Sequence, residues 1–253
     1  MVYTYIKYEK ESGIAWITLN RPAQMNSLNA TMLNEWREAI LEAGKDTEVG
    51  VIVVTGAGRA FCTGLDLKEL DGKEFAGGEV GPDYDVHANA LIEAIQTVPK
   101  VAIAMVNGPC ITGGLETLLS FDLVVASENA TFGDTHARWG IRPSWGMSQR
   151  LPRMVGWRNA KELSFTARIF SAEEARDMGL LNRVVPEDQL KTTVICLSKD
   201  ILKNSLEAIA AIKHLYNTGM GMTLEDGLKM EAQTRFVITD TNDRLKNFIK
   251  KQK

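Results

Sequence analysis

The chain has 253 residues, 45% of them hydrophobic, enough for one large domain or one domain with an appendage. Its 29 basic and 32 acidic residues give a net charge of -3 with no basic stripe, which argues against a nucleic-acid partner. Three cysteines, Cys62, Cys110 and Cys196, fit neither a disulfide framework nor a zinc site, so a reducing, cytoplasmic setting and no metal are expected. The first residues resemble no secretory signal, and no apolar run is long enough to span a bilayer.

In chain order, Ile14 to Leu19 reads as a buried strand, and Met32, Leu33, Trp36, Ala39, Ile40 and Ala43 recur at helical spacing. Val51 to Thr55 predicts a second strand. The segment Asp71 to Asp85 carries Gly72, Gly77, Gly78, Gly81 and Pro82 and predicts a loop at the rim of a pocket. A helix follows from about His87 to Gln96, then strands at Val101 to Val106 and Asp122 to Ala126. Strands alternating with helices argue for parallel pairing and an α/β fold. Beyond Pro186 the pattern is helical, over Gln189 to Lys203, Ser205 to Thr218 and Leu224 to Lys250. The expected division is a core over 1–190 and a helical region over 191–253.

Between Val106 and Glu116 the run Asn107-Gly108-Pro109-Cys110-Ile111-Thr112-Gly113-Gly114-Leu115 predicts a strand, a tight turn and a helix start. Paired glycines allow close backbone approach, and the first amides of a helix lack intrahelical partners, so they can donate to a developing negative charge. Glu116 then stands beside an oxyanion site, the pairing that chemistry on a carbonyl compound needs, although a first-turn glutamate also serves the helix dipole. Cys62-Thr63-Gly64-Leu65-Asp66 echoes Ile111 to Glu116, either as two stacked turns of one unit or by chance. Cys62 and Cys110 have no base paired with them in sequence and read as small buried residues.

In this order and spacing, Leu19-Asn20-Arg21-Pro22, Gly58-Arg59-Ala60-Phe61-Cys62-Thr63-Gly64-Leu65-Asp66, Asn107-Gly108 through Glu116, Phe121-Asp122-Leu123, Phe132-Gly133 and Ser148-Gln149-Arg150-Leu151-Pro152 resemble the crotonase, or enoyl-CoA hydratase and isomerase, superfamily. The resemblance implies a spiral of ββα units and a C-terminal helical oligomerisation region building a homotrimer or dimer of trimers. It also implies an acyl-CoA thioester as the ligand, coenzyme A being part of the substrate and no separate cofactor being needed. Amides of Leu65 and Gly113 would hold the thioester oxygen. Cys62, Gly64, Asp66, Leu67 and Gly114 would lie along the bound thioester, with the adenine near Leu65 to Leu67 and the phosphates near Arg21. Lys246 or Lys250 are candidates to assist there, and as readily solvated charges.

Glu116 matches the first catalytic glutamate of the hydratases. At the second, the chain has His136, which can give or take a proton near neutral pH or simply fill a polar wall. Asp134 either orients His136 or caps a turn. Arg142 and Trp145 replace a small turn; pointing inward they imply a short or charged acyl group, pointing outward a solvated charge and an interface anchor. The expected activity is hydration of a 2-enoyl-CoA, with isomerisation, decarboxylation, hydrolysis or bare acyl-CoA binding as the rivals.

Overall fold

The computed structural model describes residues 3–72 and 76–251. Among them, strands β1 (Ile6–Glu11), β2 (Ile14–Leu19), β3 (Val51–Gly56), β4 (Val101–Val106), β5 (Cys110–Ile111), β6 (Leu123–Ser127), β7 (Thr131–Gly133), β8 (Ile169–Ser171) and β9 (Arg183–Val185) form two sheets. The helices are α1 (Ala30–Lys45), α2 (Pro82–Thr97), α3 (Gly113–Leu118), α4 (His136–Trp139), α5 (Met147–Val155), α6 (Trp157–Thr166), α7 (Ala172–Asp177), α8 (Leu190–Leu202), α9 (Leu206–Gly219), α10 (Leu224–Gln233) and α11 (Thr241–Lys251). The larger sheet runs β1-β2-β3-β4-β6-β9, antiparallel only at the β1–β2 hairpin. The smaller runs β5-β7-β8 and carries the site.

Strands β3 and β4 read as near-continuous apolar runs because both sheet faces are covered. Alternation divides their side chains between two cores. Ile17, Leu19, Ile52, Val54, Ala102 and Ala104 meet Met32, Leu33, Trp36 and Ile40 of α1, together with Leu91 and Ile95 of α2. Trp16, Val51, Val53, Ile103 and Val125 meet Leu190 and Val194 of α8 on the other side. The first helix beyond residue 190 thus packs directly on the sheet. Helix α9 is fastened by Lys213, whose ammonium donates to Ile95 O (2.8 Å), Lys100 O (3.0 Å) and Asp122 Oδ2 (2.7 Å), spending all three donors.

Two expectations need correction. Pro82 opens α2 at its first turn, where its missing N–H costs nothing, so the end of the expected rim loop is helical. Residues 73–75 of that loop lie outside the described residues. The tail run from Leu224 is two helices rather than one. Thr234 is extended (φ −69°, ψ 134°), in a run whose β-branched Val237, Ile238 and Thr239 are poor helix formers. Long-range contacts hold the break: Phe236 meets His214 edge-on at 5.7 Å, Ser205 Oγ donates to Asp240 Oδ1 at 2.7 Å, and Thr239 donates to Glu207.

Candidate active site

The site begins where two turns stack. Cys62 and Cys110 face each other in a parallel bridge, with Cys62 N–H donating to Pro109 O (3.1 Å) and Ile111 N–H to Cys62 O (2.9 Å). Leu65 bridges Leu28 in the same way on the other side. The echoing Cys62–Asp66 and Ile111–Glu116 segments are therefore physical neighbours, and glycine makes the contact possible. A Cβ on Gly64 (φ +85°) would lie 2.9 Å from Ile111 O and 3.0 Å from Gly113 N; one on Gly114 would lie 2.2 Å from Cys62 O. Thr112 takes φ +49° just before α3, in a region a threonine rarely visits. Its hydroxyl is tied to Thr135, whose own N–H donates to it at 3.2 Å.

This arrangement leaves the amides of Leu65 and Gly113 side by side at the cleft. Neither donates to a protein group among the described residues. Uncommitted amides at a cleft wall are donors awaiting an acceptor from a ligand.

The same cleft holds Glu116 and His136. Glu116 is buried in the first turn of α3, and its Oε1 accepts from the backbone amides of Trp145 (3.0 Å) and Met147 (3.2 Å). Its Oε2 lies 3.4 Å from His136 Nε2. The other ring nitrogen of His136 lies 2.6 Å from Asp134 Oδ1, and Ser164 donates to Asp134 Oδ2 at 2.6 Å. Burial works against a charge on His136, but the two flanking carboxylates outweigh it and lift its pKa to about 9. Burial likewise opposes ionisation of Asp134, and the bonds from His136 and Ser164 overcome it, holding its carboxyl below the usual range. At neutral pH His136 therefore rests as an imidazolium, with Glu116 at one ring nitrogen and Asp134 at the other.

The remaining sequence candidates divide. Leu65, Leu67, Gly113, Glu116, His136 and Trp145 line one cleft. Arg21 is sequestered beneath it, donating to Asp66 Oδ2 (2.8 Å) and Ser27 O (2.6 Å) with its guanidinium over the Tyr5 ring. Arg21 and Asp66 thereby brace the 64–67 turn. Cys62 and Gly114 have their places in the packing between the turns, and no surface of Cys62 reaches solvent, so its side chain is not on the cleft wall. Burial pushes the Cys62 thiol up to about 12. Arg142 points outward to Glu79 at 2.5 Å, about half exposed, whereas Trp145 points inward and is buried. Lys246 and Lys250 lie on the exposed α11.

Sequence reasoning missed Asp85, Ser164 and Thr135. Asp85 accepts from Trp145 Nε1 and Ser144 Oγ at 2.7 Å each, across about sixty residues of chain, and no local pattern announces such a partner.

The chain matches the family profile described as enoyl-CoA hydratase/isomerase over residues 9–253. It is 36% identical to the short-chain-enoyl-CoA hydratase of Clostridium acetobutylicum, covering 97% of this chain and 94% of that one. It is 37% identical to a probable peroxisomal enoyl-CoA hydratase of Arabidopsis thaliana, over 90% of this chain and 84% of that one. The crystal structure of an enoyl-CoA hydratase from Bacillus anthracis superposes with a TM-score of 0.89 at 32% identity, covering 98% of this chain and 97% of the other. With its α/β core, its C-terminal helices and its stacked-turn cleft, the chain belongs to the enoyl-CoA hydratase/isomerase family, of crotonase fold.

Proposed function

We propose that this chain adds water across the double bond of a 2-enoyl thioester of coenzyme A. The observation that carries the reading is the Glu116–His136 pair, 3.4 Å apart, in the same cleft as the two uncommitted amides of Leu65 and Gly113. With the thioester oxygen between those amides, the β-carbon becomes electrophilic. Glu116 takes a proton from water as the water oxygen bonds that carbon, and negative charge moves onto the thioester oxygen. Imidazolium His136 then delivers its Nε2 proton to the α-carbon. The proton on Glu116 passes back to His136 and the site is reset. Asp134 keeps the opposite ring nitrogen protonated throughout, so Nε2 is the face that works.

The coarser features agree with this reading. Among the described residues no helix is long and apolar enough to cross a membrane. Exposed Leu224, Leu228, Leu245, Phe248 and Ile249 on α10 and α11 support assembly with further copies, as a homotrimer or dimer of trimers. Arg21 serves the coenzyme end by bracing the turn that carries Leu65, Asp66 and Leu67. Arg142, on the rim, is a solvated charge.

The test is incubation of the purified protein with crotonyl-CoA and with 3-enoyl and malonyl-type thioesters, reading products by mass. Gain of water on crotonyl-CoA is expected. A shifted double bond, loss of carbon dioxide or free acid without hydration would replace this reading with that reaction, and binding without turnover would make the chain an acyl-CoA binder.

The pH profile gives a second check. Delivery of the proton needs charged His136, so activity is expected to fall as pH rises through about 9. Asp134→Asn keeps an acceptor for the ring N–H but removes a charge, so the falling limb should move to lower pH by about one unit or more. Unchanged limbs in both proteins would remove His136 as the acid. Stability follows the same sign. A histidine with pKa raised from about 6.5 to about 9 adds on the order of 3 kcal/mol below the lower value, and that contribution fades as pH rises through the upper one.

A further inference from the structure

Trp145 is held at three points. Its indole Nε1 donates to Asp85 Oδ1 of α2 at 2.7 Å, its backbone N–H to Glu116 Oε1 at 3.0 Å, and its carbonyl accepts from Arg150 Nη1 at 2.9 Å. Ser144, next to it, donates to the same Asp85 oxygen at 2.7 Å. The ring lies against the oxyanion turn: a Cβ on Gly113 would sit 2.6 Å from Trp145 Cζ3. Touching both Gly113 and Glu116, Trp145 stands where an acyl chain would continue once its thioester oxygen is on the amides and its reacting carbons are beside Glu116. A tryptophan on a surface turn can change rotamer to admit a longer chain; one bonded to a carboxylate through its only polar atom loses that bond when it swings.

We propose that Trp145, pinned by Asp85, closes the acyl end of the cleft and restricts this chain to short-chain acyl thioesters. The inference rests on the acyl-CoA reading above and adds a substrate class, a specificity-determining residue and a positioning residue acting through it. Arg142, which could have drawn a charged acyl group, is committed to Glu79 outside the cleft, so the selected group is short and apolar rather than anionic.

Binding of saturated thioesters tests this without turnover. Calorimetry with butyryl-CoA and decanoyl-CoA is expected to show the wild type favouring butyryl-CoA by roughly tenfold or more. Trp145→Ala should abolish or invert that ratio through tighter decanoyl-CoA binding. Asp85→Ala, which leaves the tryptophan in place but unpinned, should move the ratio the same way, while Asp85→Asn, which keeps an oxygen acceptor, should restore it toward wild type. Wild type binding decanoyl-CoA as tightly as butyryl-CoA would overturn the proposal, as would an unchanged ratio in Asp85→Ala. Crotonyl-CoA hydration assayed on the same preparations separates the two readings: length selection without hydration removes the hydratase reading alone, and hydration without length selection removes this proposal alone.

Discussion

Replacing Glu116 by Gln is expected to lower kcat with crotonyl-CoA by roughly 10²–10⁴-fold, with KM changed far less. The substitution is nearly isosteric. The Gln carbonyl can still accept from the Trp145 and Met147 amides, which now bond Glu116 Oε1, so the 145–147 turn stays in place. What disappears is the oxygen 3.4 Å from His136, which in the proposed reaction takes the proton from water. In the proposed reaction that oxygen is needed for proton transfer, so the loss is expected in kcat rather than in KM. Steady-state kinetics checks it, and a variant that kept the wild-type kcat would take Glu116 out of the reaction.

Gly64→Ala is the second large effect. The added Cβ meets two main-chain atoms, Ile111 O and Gly113 N, at about the limit of contact, at a backbone angle (φ +85°) that costs alanine energy. Neither neighbour is a flexible side chain, so relief comes by moving the turns apart. That separates the Leu65 and Gly113 amides, and misplacing one oxyanion donor costs on the order of 3 kcal/mol of barrier, or roughly 10²–10³ in kcat. The expected result is a folded protein by circular dichroism, still rich in helix, with little hydration activity. Near-wild-type kcat in a folded Gly64→Ala would mean that the two amides do not act together.

The sequence made the repeated parts legible. Strands β2, β3 and β4 announce themselves because central parallel strands must be apolar on both faces, and α1 does so because one stripe of it is buried. Elements fixed by distant partners did not. The break before α11 depends on Phe236 against His214 and on Asp240 with Ser205, contacts that no local pattern encodes. In the site, Glu116 and His136 could each be named from motifs, but their juxtaposition exists only because β5, which leads into α3, pairs with β7, which leads toward α4. Cys62 had two readings: the resemblance placed it along the thioester, while the lack of a paired base made it a small buried residue, and the bridge to Cys110 turns its side chain into the packing. Arg142 and Trp145, three positions apart on one irregular turn, went to opposite sides, and only the positions of Glu79 and Asp85 decided which went where.

The two stacked turns also bear on how such a protein can change over time. The parts that would grip the thioester oxygen are main-chain atoms, spaced by the hydrogen bonds between Cys62 and the 109–111 segment. A point mutation in the coding sequence can alter the ionisable groups that line the same cleft and leave those main-chain atoms in place. In the proposed reaction carbonyl activation would thus be inherited with the fold, while the fate of the activated carbon would be left open to residue-by-residue change.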